Sequence, residues 1–240
     1  MSRPSGEENA DDESGGHMAA SFTDLMASLM VIFVLLFVAT VNNQRQTEKK
    51  KRDERRHTFL SDLRDDLRKT LQRQGVDPTS ITLDNDANPF ALLILMPDDL
   101  LGFELDKADV KPAGQAYLRR MVPALTETVC AKSNREKIEF VLVEGHTDTT
   151  YRGAGTGDLA TVGPVHNLEL SQRRSMEVVR WSLAALQNPD ARACFRGMVS
   201  ASGRGQEELD TRWPGTDQRQ RRVVFKIRAA KDVNESLRDL

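Results

Sequence analysis

From Leu25 to Val41, in the run LMASLMVIFVLLFVATV, the chain carries no charged side chain. Together with Ser21–Asp24 this run would make a helix rising about 1.5 Å per residue, roughly 30 Å in all, which matches the hydrocarbon core of a bilayer. A cleaved signal peptide is the competing reading. Against it, the run is longer than a usual signal core, no basic segment leads it, and no small-x-small cleavage site precedes the polar part. A retained transmembrane helix over residues 21–43 is therefore expected.

Asp24 is the one charge inside that segment. A carboxylate in a membrane helix costs about 2.5–3.5 kcal/mol at mid-helix and less near an end. That cost favours the protonated form or demands a cationic partner, and both suit a group that binds and releases an ion. Ser28 lies one turn further along the same face and could coordinate or hydrogen-bond. The plainer alternative is an acid placed at a helix start, where the dipole favours it.

The rest of the 240 residues are polar. Lys and Arg number 34 against 36 Asp and Glu, interspersed, so composition offers no basic footprint for nucleic acid. Cys130 and Cys194 belong to no CxxC pair, which leaves a single disulfide or two buried thiols and gives no metal site.

Residues 1–20 are rich in Gly, Ser, Asp and Glu without an apolar period, and read as a disordered tail. A charged helical linker is expected over 44–79, with Leu60, Leu63, Leu67 and Leu71 forming one stripe. The stripe suits either packing on the chain's own domain or a short parallel coiled coil in a dimer. Over 80–230 strands and helices alternate: strand Phe90–Met96, a helix bearing Tyr117, Leu118, Met121, Val122 and Leu125, and strand Lys137–Gly145. A second helix follows from Asn167, with Met176, Val179, Leu183 and Leu186 on one face. GMVSASGRG as a strand ending in a glycine-rich turn and a strand alternating through Val223, Phe225 and Ile227 complete the series. This βαβαββ order predicts an α/β sandwich. Residues 149–166, TTYRGAGTGDLATVGPVH, read as a long glycine-rich loop without a phosphate-cradle motif. Residues 231–240 read as a tail.

The chemistry concentrates in GHTDTT, Gly145–Thr150, and NLELSQRR, Asn167–Arg174. The strand delivers Asp148 to its carboxyl end and the helix carries Arg174 two turns in. A carboxylate and a guanidinium facing one pocket suit a zwitterion, Asp taking an ammonium and Arg gripping a carboxylate. A structural Asp–Arg pair is the simpler possibility. His146 as a hydrolytic base finds no nucleophile at a suitable spacing, so no enzyme is expected.

VEGHTDTT, NLELSQRR, ASGRGQ and QRRVVFKI resemble the successive motifs of the OmpA-like (OmpA/MotB C-terminal) peptidoglycan-binding domain, over about residues 85–228. SFTDLMASLMVIFVLLF resembles the single membrane helix of MotB-type stator proteins. By that resemblance Asp24 matches the ion-carrying aspartate, Asp148 the group receiving the ammonium of diaminopimelate, and Arg174 the group binding its carboxylate. Thr147, Asn167 and Leu170 match flanking pocket positions. Two departures stand out: the loop after Asp148 is about ten residues longer than usual in the family, and Gln220 replaces an Asn common before RRV.

The resemblance implies a homodimeric inner-membrane subunit with a cytoplasmic N-terminus and a periplasmic domain anchored to peptidoglycan. It further implies a multi-span, pentameric MotA-like partner, with Asp24 carrying H⁺ rather than Na⁺ and no bound cofactor. The short N-terminal tail, without a basic start, is closer to the MotB-like components of Zorya-type anti-phage defence systems than to flagellar stators. A passive wall tether without ion flux is the rival. One conflict remains. Arg45, Lys49, Lys50, Lys51, Arg52, Arg55 and Arg56 follow the membrane run and only Arg3 precedes it, so the positive-inside rule places the domain in the cytoplasm. A Cys130–Cys194 disulfide would place it in the periplasm.

Overall fold

The computed structural model describes residues 12–77, 81–83, 90–104, 106–150 and 159–231, with side chains described from Leu25 onward except at 81–83 and 159–161. Helix α1 spans Asp12–Arg73, so helix begins ahead of the expected membrane segment. The chain divides into two compact units, Met1–Lys51 and Arg52–Leu240. In the first, Leu25, Met26 and every large apolar residue from Leu29 to Val38 are exposed around the whole helix. A helix that is apolar on all sides without a protein partner is suited to lipid. By length and composition it is the one helix among the described residues able to cross a membrane.

In the second unit the leucine stripe of α1 has its partner. Leu60, Leu63, Leu67 and Leu71 are all buried within the single chain, in the same core as the sheet. Arg56 joins them, donating to the carbonyl of Ala229 at 3.0 Å and lying 3.8 Å from the Phe90 ring centroid. Four fully buried leucines contribute on the order of 6–12 kcal/mol of apolar transfer energy. The stripe is thus a structural wall of the domain.

The domain is a mixed α/β fold. After α1 come β1 (Ile81–Leu83), β2 (Ala91–Pro97), α2 (Asp98–Leu101), α3 (Pro112–Val129), α4 (Lys132–Arg135) and β3 (Ile138–His146). Then follow α5 (Leu159–Ala185), α6 (Pro189–Met198), β4 (Val199–Gly205) and β5 (Arg222–Ala229). The sheet order is β1-β2-β5-β3-β4, with β3 and β4 parallel and the other neighbours antiparallel. The last strand therefore inserts between β2 and β3. Leu92, Ile94 and Met96 register with Ile227, Phe225 and Val223, so one apolar face runs across the sheet. The expected face of α3, from Tyr117 to Leu125, is buried against it.

Three expectations need correction. Helix α5 starts at Leu159, eight residues ahead of Asn167, so the second half of the expected loop is helical; residues 151–158 lie outside the described residues. The helix carries Gly163 and Pro164 in its first two turns, where the missing proline N–H removes one backbone bond. Met176 is exposed rather than on the buried face. Its place is taken by Ser171, Ser175 and Ser182, each fully buried. Finally, Gly197 and Met198 end helix α6 instead of opening β4, which starts at Val199. Helix α6 is signalled by Asn188, whose side chain caps the amides of Asp190 and Ala191, and by Pro189 in the first turn.

Cys130, just beyond α3, and Cys194, within α6, are joined as a disulfide with Cα atoms 6.3 Å apart.

Candidate functional site

Two glycines decide where α5 sits. A Cβ on Gly145 would lie 2.2 Å from the carbonyl oxygen of Ser171, and one on Gly203 would lie 2.5 Å from its hydroxyl. Without side chains there, β3 and β4 receive the helix at close range, which is why its buried face is lined by serines. The hydroxyl of Ser171 accepts from the Gly205 amide at 2.9 Å, and Gln172 Oε1 accepts from the Gly203 amide at 2.6 Å. This docking brings Asn167, Leu170 and Arg174 to the end of β3, where Thr147 and Asp148 leave the sheet. All five are buried.

Asn167 Nδ2 donates to the Asp148 carbonyl at 3.2 Å and to Gln206 Oε1 at 2.9 Å, so it positions the turn that carries Asp148. The Asp148 carboxylate accepts from the Thr150 amide at 3.0 Å through Oδ1. Its Oδ2 lies 3.6 Å from Arg221 Nη1. Arg174 is not its ion partner. The guanidinium of Arg174 donates through Nε to the Lys107 carbonyl at 2.9 Å and through Nη2 to the Glu104 carbonyl at 3.2 Å. It lies 4.9 Å from the Phe103 ring centroid, and its nearest carboxylate is Asp98, at 3.9 Å. The simple Asp148–Arg174 pair allowed by the sequence is thus replaced by four groups, Asp98, Asp148, Arg174 and Arg221.

Asp98 and Arg221 are the members that sequence reasoning missed. Pro97 registers with Arg222 on one side of β5, and His146 registers with Arg222 on the other. The ends of β2 and β3 and the start of β5 therefore coincide, and the residues just beyond them meet. Asp98 donates its amide to the Arg221 carbonyl at 3.2 Å, and Arg221 Nε stands 3.1 Å from Asp98 Oδ2 as an ion pair without hydrogen-bond alignment. Only the strand order reveals this, although LMPDD after a buried strand and RRVVF opening another mark both residues as strand-end charges.

Burial raises the Asp98 carboxyl above the ordinary carboxylate value; Arg174 and Arg221 oppose the rise, and Asp99 and Asp148 add to it. Burial likewise pulls the Arg174 guanidinium down, against the pull of Asp98. Asp98 Oδ1 and the Thr147 hydroxyl are buried without a hydrogen-bond partner among the described residues. Such under-satisfied groups in a charged cleft suit a site that awaits a polar ligand.

Gln220, at the position of the family's Asn, is fully buried and turned away from this cleft. Its Nε2 donates to the carbonyls of Asp210 and Trp213, and its Oε1 accepts from the Asp210 amide at 2.8 Å. It fastens the 206–217 segment. Asp24 has its side chain outside the described residues, and Ser28 is exposed on α1.

Among the described residues, one group could offer ligands to a metal: Glu144, His146 and Glu208, with donor atoms within 4.8 Å of one another. Glu144 is already flanked by Arg204 Nε at 3.0 Å and Lys226 Nζ at 2.5 Å. Two cations against that carboxylate disfavour a third. Burial first, then Arg222, Lys226 and Arg204, push His146 down to about 3, so it is neutral at pH 7.

Comparison with solved structures turns up proteins of the OmpA-like and MotB-like kind. A putative MotB-like protein from Desulfovibrio vulgaris is 21% identical, covering 76% of this chain and 99% of its own, with a TM-score of 0.49. The cell wall anchor of a type VI secretion system from Pseudomonas aeruginosa is 22% identical over 68% of this chain and 97% of its own, with a TM-score of 0.42. No family model matches the chain. Among curated proteins, the chain is similar to the Zorya protein ZorB of Escherichia coli. The two are 25% identical over 224 residues, 90% of this chain and 89% of that protein.

Proposed function

We propose that this chain is a stator-type subunit of an ion-driven membrane motor, anchored to peptidoglycan and serving anti-phage defence. The observation that carries the reading is the cluster of two carboxylates and two guanidiniums at the strand ends, Asp148 lying 3.6 Å from Arg221 and Asp98 3.1 Å from Arg221 and 3.9 Å from Arg174, in a chain that also holds a lipid-suited helix. A carboxylate facing guanidiniums in one cleft suits the zwitterionic end of diaminopimelate, with Asp148 taking the ammonium and Arg174 the carboxylate. Similarity to the Zorya protein ZorB over nine tenths of the chain supports the defence assignment.

In this reading the helix spans the inner membrane once, two chains pair, and Asp24 and Ser28 stand at the interface with a multi-span, pentameric MotA-like partner. Asp24 takes and releases a proton, and the transition turns the partner against a wall-fixed domain. The disulfide supports a periplasmic domain, because such bonds persist in oxidising compartments. The companion subunit then enforces an orientation that the basic run after the helix opposes.

Two variants of the full-length chain test the two halves. Asp24→Asn should abolish phage protection while the protein remains in the membrane and on the wall. Arg174→Ala should lose sacculus binding by tenfold or more, about the loss of one charge-assisted bidentate contact. Full protection by the Asn variant would favour a passive tether, and unchanged sacculus binding by the Ala variant would remove the diaminopimelate assignment.

A further inference from the structure

This inference rests on the wall-binding reading and concerns how the same site is regulated. A guanidinium has two usable edges. On Arg174 the edge formed by Nε and Nη2 is taken up by the carbonyls of Lys107 and Glu104. The other fork, formed by Nη1 and the second Nη2 hydrogen, is the edge left for an incoming carboxylate. Asp98 Oδ1 stands on the Nη1 side of it, 3.9 Å away. Arg221 divides itself between Asp98 Oδ2 at 3.1 Å and Asp148 Oδ2 at 3.6 Å. Asp98 therefore occupies the anion position between both guanidiniums.

Its hold on that position is poor. A separation of 3.9 Å is too long for a hydrogen bond, and Oδ1 accepts none among the described residues although the side chain is only 14% exposed. Two carboxylates and two guanidiniums already balance. A bound zwitterion adds an ammonium beside Asp148 and a carboxylate beside Arg174. The total charge still balances, but with the ammonium taken up at Asp148 the ligand carboxylate and an ionised Asp98 would compete for the same free side of Arg174, two like charges at close range in a cleft with little water to screen them.

We propose that Asp98 is a built-in competitor for the ligand carboxylate, so that the wall is gripped only when Asp98 yields its place between Arg174 and Arg221. Asp98 opens the four-residue helix α2, whose C-terminal Gly102 leads directly into the segment whose carbonyls hold Arg174. Displacement of α2 would move the competitor and the Arg174 clasp together. Wall attachment becomes a switchable state with its release contact inside the site.

The opposite role, Asp98 as a second partner for the ligand ammonium, predicts the opposite sign. The test is equilibrium binding of the full-length chain, in mild detergent, to purified diaminopimelate-containing sacculi. Wild type is compared with Asp98→Asn, Asp98→Ser and Arg174→Ala, with thermal unfolding as the check on folding. Removal of the charge should tighten sacculus binding about tenfold, the scale of one charge-assisted hydrogen bond regained by Arg174. Both neutral variants should agree, and Arg174→Ala should bind weakly. Binding by the neutral variants alone would also support the competitor. Equal or weaker binding by folded neutral variants, with wild type still dependent on Arg174, would overturn the competitor and leave the wall-binding reading intact. No binding by any folded variant would overturn both.

Discussion

On the outer face of the sheet, Glu144 has Arg204 and Lys226 at 3.0 and 2.5 Å. Past the end of the same strand, Asp148 and Asp98 face Arg221 and Arg174 across 3.1–3.9 Å, with one carboxylate oxygen unbonded. Both clusters bury carboxylates among cations, and each leaves one carboxylate oxygen without an aligned hydrogen bond, Glu144 Oε2 and Asp98 Oδ1. Yet only Glu144 has a cation within 3.0 Å of each of its oxygens, while Asp98 Oδ1 has its cation at 3.9 Å. The difference separates two uses of buried charge. A closed cluster ties β3, β4 and β5 together and has no capacity left for a ligand. An open one holds its charges at the desolvation cost of burial without the full return in contacts, which makes sense where a ligand completes it.

The strongest way to break the comparison is to neutralise the closed cluster. Glu144→Gln should destabilise the domain by about 3–5 kcal/mol, because Lys226, mostly buried, then faces an amide where a carboxylate stood. Urea unfolding of the full-length chain, followed by the fluorescence of Trp181 and Trp213, reads this unit alone. A loss below about 1 kcal/mol would show that the closed cluster is no more structural than the open one.

The second effect is a pH slope. His146 is held neutral with its pKa lowered to about 3 from 6.5, so on acidification the unfolded chain takes up the proton first. Stability from this group is complete above about pH 6.5 and drains away as pH falls toward 3. Between pH 7.5 and pH 5 the loss should be about 2 kcal/mol, and it should vanish from the slope in His146→Gln. Asp98 has the reverse sign. Its raised pKa makes its contribution greatest below the ordinary carboxylate range and diminishes it as pH rises through the raised value. A wild-type slope no steeper than that of His146→Gln over the upper window would mean that His146 is not held neutral.

The two clusters were unequally legible in the sequence. A buried apolar run located β2, apolar alternation located β5 and the helical period located α3, because those patterns record burial directly, whereas the three-residue β1 was not anticipated. Asp148, Asn167 and Arg174 were found through motifs on consecutive elements, and α5 does bring them to one strand end. Asp98 and Arg221 lie 123 positions apart and meet only because β5 inserts between β2 and β3, a pairing no local pattern encodes. Along α5 and just beyond it the expected Val179 and Leu186 are buried, but Met176 is not, for a different reason. Gly145 and Gly203 draw the helix so close that serines fill its inner side, and a reading by hydrophobicity chose Met176 instead.

The smallest expected effect is the sharpest contrast. Asp148→Asn makes in the open cluster the same chemical change that Glu144→Gln makes in the closed one. The amide oxygen can still accept from the Thr150 amide, as Oδ1 does at 3.0 Å. The lost attraction to Arg221 acts across 3.6 Å, and its loss is offset by removing repulsion from Asp98 and the burial of a charge. The expected change in unfolding energy is therefore within about 1 kcal/mol of zero, against several for Glu144. Equal destabilisation in the two variants would mean that Asp148 holds the fold together rather than standing ready for a ligand, and the two clusters would differ only in distance.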